Sequence, residues 1–209
     1  GCECSASSLM WGDEAARAKL EKQLTEALAS DMNYDAKQML CRYLRTVGTA
    51  SSVPALAKLL SDEKLSHMSR YALERIPDPA AGNALREALP KVGAELKDGI
   101  ISSLGVRGED ESVAVLTESL GDTNPAVAQA AAHGLGAIRS PAAAKALSSA
   151  KPSKDAQAAV ADAKLACAES LVAAGDKKEA LAIYKSLSGA EQPKHVRLAA
   201  TRGVLASSK

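Results

Sequence analysis

The segment "GDTNPAVAQAAAHGLGAIRSPAAAKAL", residues 121–147, decides the fold of this 209-residue chain. A helix opens at Asn124-Pro125, because Asn caps helix starts and Pro fits the first helical position, where its missing N–H costs nothing. That helix runs to the breaker Ser140-Pro141, after which "AAAKALSSA" begins a second helical stretch. The segment therefore predicts two consecutive α-helices joined by a tight turn.

The same unit recurs along the chain. A helical stretch that reaches a Leu or Val and then a turn occurs six times, at intervals of 29 to 36 residues, with anchors at Leu44, Leu73, Leu104, Leu135, Leu171 and Val204. A helical repeat of about 20 to 50 residues is typical of a solenoid of stacked helix pairs. We therefore predict an all-α fold, a right-handed α-solenoid of about six helix pairs over residues 13–209, preceded by a flexible tail over residues 1–12. The anchors lie on the second helix of each pair.

Composition narrows the classes of function. Aromatic residues make up only 2% of the chain and Phe is absent, so the core must consist of Leu, Ala, Val and Ile. The 26 basic and 25 acidic residues leave a net charge of +1. Nucleic-acid-binding surfaces are basic and commonly offer aromatic side chains for stacking, so we expect no nucleic-acid partner. No apolar run of about 18 residues occurs, which predicts no membrane span.

The register of the second helices predicts a buried seam. Positions four before and three after each anchor share its helical face. The first column is largely apolar or small: Leu40, Ser69, Ile100, Ala131, Cys167 and Ala200. The second is apolar except at Arg107 and the terminal Ser207: Val47, Ile76, Arg107, Ile138, Ala174 and Ser207. Cys41 and Cys167 are expected to pack as small hydrophobic residues.

Two residues before each anchor the pattern inverts, and this row is called the ladder. Its members are Arg42, Tyr71, Ser102, His133, Glu169 and Arg202. At about 100° per residue, the ladder lies about 200° from the anchors and should face away from the seam. One interpretation is a partner-binding row with one side chain per repeat. The alternative is that solvent-facing positions are simply polar.

A polar cluster occurs where two adjacent second helices are expected to meet. Its members are Arg42, Arg45, Arg70, Tyr71, Glu74 and Arg75. Such a cluster is suited to a carboxylate, a phosphate or an acidic partner loop, because Arg offers a planar set of donors. The alternative interpretation is an inter-repeat Arg–Glu network with a structural role alone.

No motif for catalysis or metal binding stands out. The histidines His67, His133 and His195 are scattered, and neither HExxH nor CxxC occurs. Gly134 and Gly136 lie inside a helix-pair pattern and are expected to allow close packing between repeats. Acidic residues are expected on exposed faces, where helix charges pair. We predict no enzymatic activity, no cofactor and no metal.

Residues 121–147 also resemble the HEAT motif. Asp122, Pro125, Val127, Ala131, Leu135 and Ile138 stand where that motif expects them. Family members often carry Arg directly after the Val, whereas this chain has Ala128; its later copy, Val196-Arg197, does have it. The resemblance covers roughly residues 35–209 and implies an α-solenoid.

Two further resemblances concern context. The stretches "MSRYALERIPDPAAGNALREAL" and "LKDGIISSLGVRG" are similar to HEAT segments of exported, multidomain bacterial proteins, which implies an exported or periplasmic accessory or scaffold domain. The stretch "AAGDKKEALAIYKSLSG" resembles half of a tetratricopeptide unit. Because a helix pair satisfies both patterns, we interpret it as a longer HEAT-like pair.

These observations favour a non-catalytic interaction or scaffold module. We expect a monomer that binds a protein partner, or neighbouring domains of the same polypeptide, on the face of the second helices. The candidate residues are the ladder together with Arg45, Arg70 and Glu74. Alternatives are an accessory or spacer domain of a larger exported enzyme, or a HEAT-type enzyme similar to a DNA glycosylase or a chromophore lyase. A glycosylase fits poorly, because it requires a basic, aromatic-lined groove.

Overall fold

A computed structural model of the chain describes residues 13–207, so the expected tail at residues 1–12 lies outside the described residues. All regular secondary structure within the described range is helical, which confirms the all-α class. Its α-helices are α1 Glu14–Leu28, α2 Tyr34–Val47, α3 Val53–Ala57, α4 Ser66–Leu73, α5 Pro79–Ala88, α6 Ala94–Arg107, α7 Val113–Ser119, α8 Pro125–Ile138, α9 Pro141–Ser149, α10 Gln157–Ala173, α11 Lys177–Ser186 and α12 Lys194–Ser207. Short 3₁₀ turns occur at 50–52, 89–91, 110–112 and 154–156.

The chain divides between Val92 and Gly93 into two compact units. In the first unit, α1 packs on α2, α2 packs beside α4, and α3 packs on α4 and beside α5. Second helices therefore lie beside second helices, and first helices beside first helices. This two-layer arrangement is the stacking of helix pairs that the repeat predicts.

The second unit has the same organisation. The second helices α6, α8, α10 and α12 pack side by side in chain order. The first helices α7 and α9 pack beside one another and against α8, and α11 packs on α10 and α12. All six anchors lie on second helices, as predicted.

Local sequence accounts for where the helices begin and end. Asp13 caps α1 by accepting from the amides of Ala15 and Ala16 at 3.0 and 3.1 Å. Asn124 caps α8, with its side chain 2.9 Å from the amide nitrogen that follows Pro125. The end of α6 requires glycine, since Gly108 adopts a left-handed φ of 68°.

The predicted seam is largely present. The anchors of α2, α4, α6 and α8 are fully buried, Leu171 is 2% exposed, and Val204 is half-buried. Three positions of the second column, Ala174, Ser207 and Arg107, differ from what its polarity predicts. Ala174 is exposed, because α10 ends at Ala173 and Ala174 is already its C-cap. Ser207, expected to depart from the column, is 7% exposed and lies within α12.

Arg107, the other polar member of that column, also has a buried side chain. Its side chain is 4% exposed and forms an ion pair with Glu109, whose Oε1 lies 2.9 Å from Nε of Arg107. A guanidinium can occupy a buried position when it is paired and hydrogen-bonded. The column therefore tolerates Arg107 because its partner lies two residues further along the chain.

Glu21 corrects the expectation that acidic residues lie on exposed faces. Its side chain is 5% exposed on α1. Its carboxylate accepts from the amide of Thr49 at 2.7 Å, from the Thr49 hydroxyl at 3.0 Å and from the hydroxyl of Ser52. These groups begin the 3₁₀ turn that leads into α3, so Glu21 supplies acceptors to a helix start that belongs to the next repeat.

Two glycines allow the close packing expected in the second unit. A Cβ at Gly134 would lie 3.3 Å from Cγ2 of Ile101 on α6. A Cβ at Gly136 would lie 3.0 Å from both Cα and Cβ of Ala163 on α10. Since a glycine removes the atom that keeps two helices apart, α8 approaches both neighbours closely at these positions.

Candidate partner-binding site

All six ladder residues are exposed, as the register predicts. Arg42 and Tyr71 lie on the adjacent helices α2 and α4 of the first unit. The ladder residues of the second unit lie on its four second helices: Ser102, His133, Glu169 and Arg202. Exposure is what a partner-binding row requires, and it is also what an ordinary solvated face shows, so the assignment depends on local geometry.

The most developed geometry is a depression between α2 and α4, here called the α2–α4 depression. Its lining residues are Arg42, Arg45, His67, Met68 and Tyr71. The guanidinium carbon of Arg45 lies 4.0 Å from the centroid of the Tyr71 ring, which is a cation–π contact. The side chains of adjacent second helices therefore reach one another, as the sequence predicts for Arg45 and Tyr71.

Burial and charge give this depression a defined chemistry. Met68 is 5% exposed and forms an apolar base, while Tyr71 is 36% exposed. Nε of Arg45 is buried and has no hydrogen-bond partner within residues 13–207. The stacked guanidinium therefore holds a donor that the described part of the chain does not satisfy. The result is a cationic rim around an apolar and aromatic base.

The remaining members of the predicted cluster lie outside this depression, one on α4 and two just after its last residue, Leu73. Arg70 and Glu74 are half-buried and do not line the α2–α4 depression, and Arg75 is exposed. His67 and Met68 do line it, and neither belongs to the cluster predicted from the sequence. They stand six and five residues before the anchor Leu73, and inspection of those two columns would have identified them.

The ladder residues of the second unit differ in chemistry from the α2–α4 depression. Ser102 and His133 share a shallow depression with Asp98 and small or apolar side chains of α6 and α8. Within the described range, no hydrogen bond joins any two of Ser102, His133 and Asp98. A nucleophile–base pair requires such contact, so these three residue types form no preorganised triad here.

Two perturbed groups in the second unit were not predicted. Burial lowers the pKa of Lys164, which lines a cavity between α10 and the 187–193 segment. The pKa of Asp122 is also lowered, first by the amide of Asn124 and then by Lys97, whose Nζ lies 3.0 Å from Oδ2. Asp122 thereby stabilises the loop that leads into α8.

Residues 13–207 contain neither a metal-binding cluster nor a membrane-spanning helix. No group of three or more His, Cys, Asp or Glu side chains in that range is arranged to hold a metal ion. Within the same range, every helix is too short or too polar to cross a bilayer.

Solved structures share the fold at low sequence identity. A designed armadillo repeat protein in complex with the peptide (KR)4 is 16% identical, with a TM-score of 0.53 over 90% of this chain and 98% of that one. An engineered protein is 19% identical, with a TM-score of 0.51 over 94% of this chain and 61% of that one. Human deoxyhypusine hydroxylase, in complex with glycerol, is 14% identical, with a TM-score of 0.50 over 92% and 97%.

Sequence comparison gives the family. No curated protein matches the chain. The family model for HEAT repeats matches residues 21–104 and 93–164, which together span more than half of the sequence. Those matches include four of the six anchors, from Leu44 to Leu135, and the Asn124-Pro125 helix start. The chain therefore belongs to the HEAT repeat family and has its α-solenoid fold.

Proposed function

We propose that this protein is a non-catalytic interaction module that binds a protein partner on the second-helix face of its first unit, at the α2–α4 depression. The observation that carries the proposal is the Arg45–Tyr71 stack, with a centroid distance of 4.0 Å, beside the exposed Arg42. Arg and Tyr are enriched among residues that dominate binding energy at protein interfaces. A stacked guanidinium is already ordered, so less side-chain entropy is lost when a partner binds.

The expected ligand chemistry is a carboxylate next to an apolar side chain. Arg42 and Arg45 present planar sets of donors that match a carboxylate, and His67 lies on the same rim. Met68 and Tyr71 offer apolar surface below them. An Asp or Glu followed by an apolar residue in an extended partner segment would satisfy both parts.

The comparison with the designed armadillo repeat protein supports this kind of function. That protein is described in complex with a peptide, and its fold matches this chain with a TM-score of 0.53. The peptide there is basic, and the cationic α2–α4 depression would repel a peptide of that charge. The partner proposed for this chain is therefore acidic.

Selection from a phage-displayed random peptide library on the immobilised full chain tests the proposal. Enriched peptides should carry Asp or Glu. The double substitution Arg42→Ala/Tyr71→Ala should weaken a selected peptide by about 10- to 100-fold, since both residues lie at the proposed contact. The melting temperature should stay within about 2 °C, because both side chains are exposed.

Lys58→Ala is the matched control, since Lys58 is an exposed cation at the end of the first helix α3. It should leave peptide affinity unchanged. Equal affinity of wild type and Arg42→Ala/Tyr71→Ala for a selected peptide would contradict the proposal. A library that yields no enriched peptide would favour the alternative of a spacer or accessory domain.

A further inference from the structure

Lys164 is a half-buried cation on α10 that has no ion-pair or hydrogen-bond partner within residues 13–207. It lines a cavity of about 460 Å³ between α10 and the 187–193 segment, which leads into the next second helix, α12. Burial lowers the pKa of this lysine, because removing a charged group from water is unfavourable unless another charge compensates for it. An uncompensated cation therefore lies beside an open volume.

A lysine at the same register of α6 has the partner that Lys164 lacks. Lys97 stands seven residues before the anchor Leu104, as Lys164 stands seven residues before the anchor Leu171. Nζ of Lys97 lies 3.0 Å from Oδ2 of Asp122, in the segment that leads into the next second helix, α8. In that repeat, a lysine of one second helix thus pairs with a carboxylate from the segment before the following second helix.

A local turn orients the Asp122 carboxylate, and the segment before α12 cannot form that turn. Oδ1 of Asp122 accepts from the amide of Asn124, two residues further along the chain, at 2.9 Å. Counted back from the anchors of α8 and α12, Glu191 corresponds to Asp122 and Pro193 corresponds to Asn124. Because proline has no amide N–H to donate, the equivalent turn is impossible before α12.

The carboxylate of Glu191 is placed differently from that of Asp122. A Cβ added at Gly189 would overlap both oxygens of Glu191, so this carboxylate is folded back against its own turn. Within the described range, no ion pair joins Glu191 and Lys164. The described part of the chain therefore supplies no carboxylate to Lys164.

The walls of the cavity suit a small molecule that is part apolar and part polar. Val160 and Leu187 are 4% and 2% exposed and form its apolar base. Lys154, Gln157 and Gln192 add a second cation and two side-chain amides. Ligand sites in proteins typically enclose about 300 to 1,000 Å³ and combine apolar walls with a few polar groups. The volume and the lining of this cavity both match that description.

We propose that this cavity binds a small organic carboxylate, whose carboxylate group pairs with Lys164 as that of Asp122 pairs with Lys97. The use of a carboxylate at the equivalent register of this chain favours that anion. Lys154 and Lys164 against Glu191 leave the lining with one positive charge, which suits a singly charged acid. The apolar base accommodates a short hydrocarbon body. The site lies wholly in the second unit and is independent of the proposed peptide site.

An NMR titration of the isotope-labelled full chain with hexanoate tests the proposal. The largest amide shifts should lie at residues 152–164 and 187–193, which line the cavity. The pKa of the Lys164 ammonium, followed through its side-chain resonances, should rise on binding, because a bound negative charge favours the charged form. Hexanamide has the same hydrocarbon body without the charge, and it should bind at least about 10-fold more weakly.

A substitution with a matched control identifies the contact. Lys164→Met keeps an apolar stem without the charge, and it should weaken hexanoate binding at least about 10-fold. Lys151→Met removes an exposed cation next to the lining residue Pro152, and it should leave the affinity unchanged. Circular dichroism should show that both variants are as helical as wild type.

A second variant tests the comparison between the two repeats. Glu191→Asp/Pro193→Asn gives the segment before α12 the spacing of Asp and Asn that precedes α8. The new carboxylate should pair with Lys164 and raise its pKa without added acid. Because this internal group competes for the lysine, hexanoate binding should weaken at least about 10-fold.

Four results would overturn the proposal. The first is a chain whose amides at residues 152–164 and 187–193 do not respond to hexanoate. The second is equal affinity for hexanoate and hexanamide, which would indicate apolar contact alone. The third is unchanged affinity in Lys164→Met or in Glu191→Asp/Pro193→Asn. The fourth is tighter binding of inorganic phosphate than of hexanoate, which would indicate an inorganic-anion site. Failure of peptide selection at the α2–α4 depression would alter none of these readouts.

Discussion

The ring of Tyr184 lies flat against Gly203, so close that a Cβ at position 203 would overlap the ring carbons. Tyr184 on α11 is 4% exposed, and Gly203 stands one residue before the anchor of α12. The last helix pair therefore packs through an aromatic face against bare backbone. In a chain with so few aromatic residues, this is an uncommon kind of contact.

Gly203→Ala should therefore destabilise the protein by about 1 to 3 kcal/mol, because a buried ring has to move. The higher helix propensity of Ala, about 1 kcal/mol, offsets only part of this cost. Urea unfolding measures the change. Gly121→Ala is the control, since a Cβ there meets only the carbonyl oxygen of Glu118 at an ordinary 3.6 Å. Equal unfolding midpoints for Gly203→Ala and wild type would show that the ring is free to shift.

Glu21→Ala should lower the free energy of unfolding by about 2 to 4 kcal/mol. The substitution removes the acceptor for the Thr49 amide and the Ser52 hydroxyl, and a buried donor without a partner is costly. Glu26→Ala on the same helix should cost less than about 0.5 kcal/mol, because its pair with Lys22 is exposed and 3.9 Å long. Urea midpoints that are equal for the two variants would contradict the capping role of Glu21.

Leu104→Asp should split the cooperative melting of the protein. Leu104 is fully buried in α6, and an unpaired carboxylate there would disrupt the middle of the array. Because each repeat contacts only its neighbours, the remaining repeats should melt separately. Differential scanning calorimetry reports this directly. A single unchanged transition would mean that Leu104 does not lie in the buried seam.

The buried cysteines should make stability depend on pH in the alkaline range. Burial raises the pKa of Cys41 and of Cys167 from 9.0 to about 11. Below pH 9 both thiols are protonated in the folded and the unfolded chain. Between about pH 9 and 11 only the unfolded chain ionises, so stability should fall by up to about 2 to 3 kcal/mol per thiol.

Urea midpoints at pH 8 and pH 10 measure this loss, with Cys41→Ala/Cys167→Ala as the control that lacks it. The double variant should lose less stability between the two pH values than wild type. An identical loss in both chains would assign the alkaline sensitivity to other groups.

Local signals in the sequence were sufficient for the helices and most of the seam. Asn124 and Pro125 predict the start of α8 because capping depends on residues close together in the chain. The Glu21–Thr49 contact was missed because it joins residues 28 positions apart and has no sequence motif. Ala174 was misplaced because helical register holds only while the helix continues, and α10 ends one residue earlier.

The candidate site was also predicted only in part. Register places Arg45 and Tyr71 on adjacent second helices, and the structure brings them into contact at 4.0 Å. Register does not give the offset of two packed helices along their axes. It therefore did not show that His67 and Met68 line the depression while Arg70 and Glu74 lie outside it. That offset depends on side-chain packing between the helices.

The most direct measurement is the amide chemical-shift map of the ¹⁵N-labelled full chain, titrated with a synthetic acidic peptide from the library selection. We predict that the largest shifts lie on α2 and α4 around Arg42, Arg45 and Tyr71, and that Arg42→Ala/Tyr71→Ala greatly reduces them at the same peptide concentration. Shifts confined to the first helices α1 and α3, or to the second unit, would contradict the account.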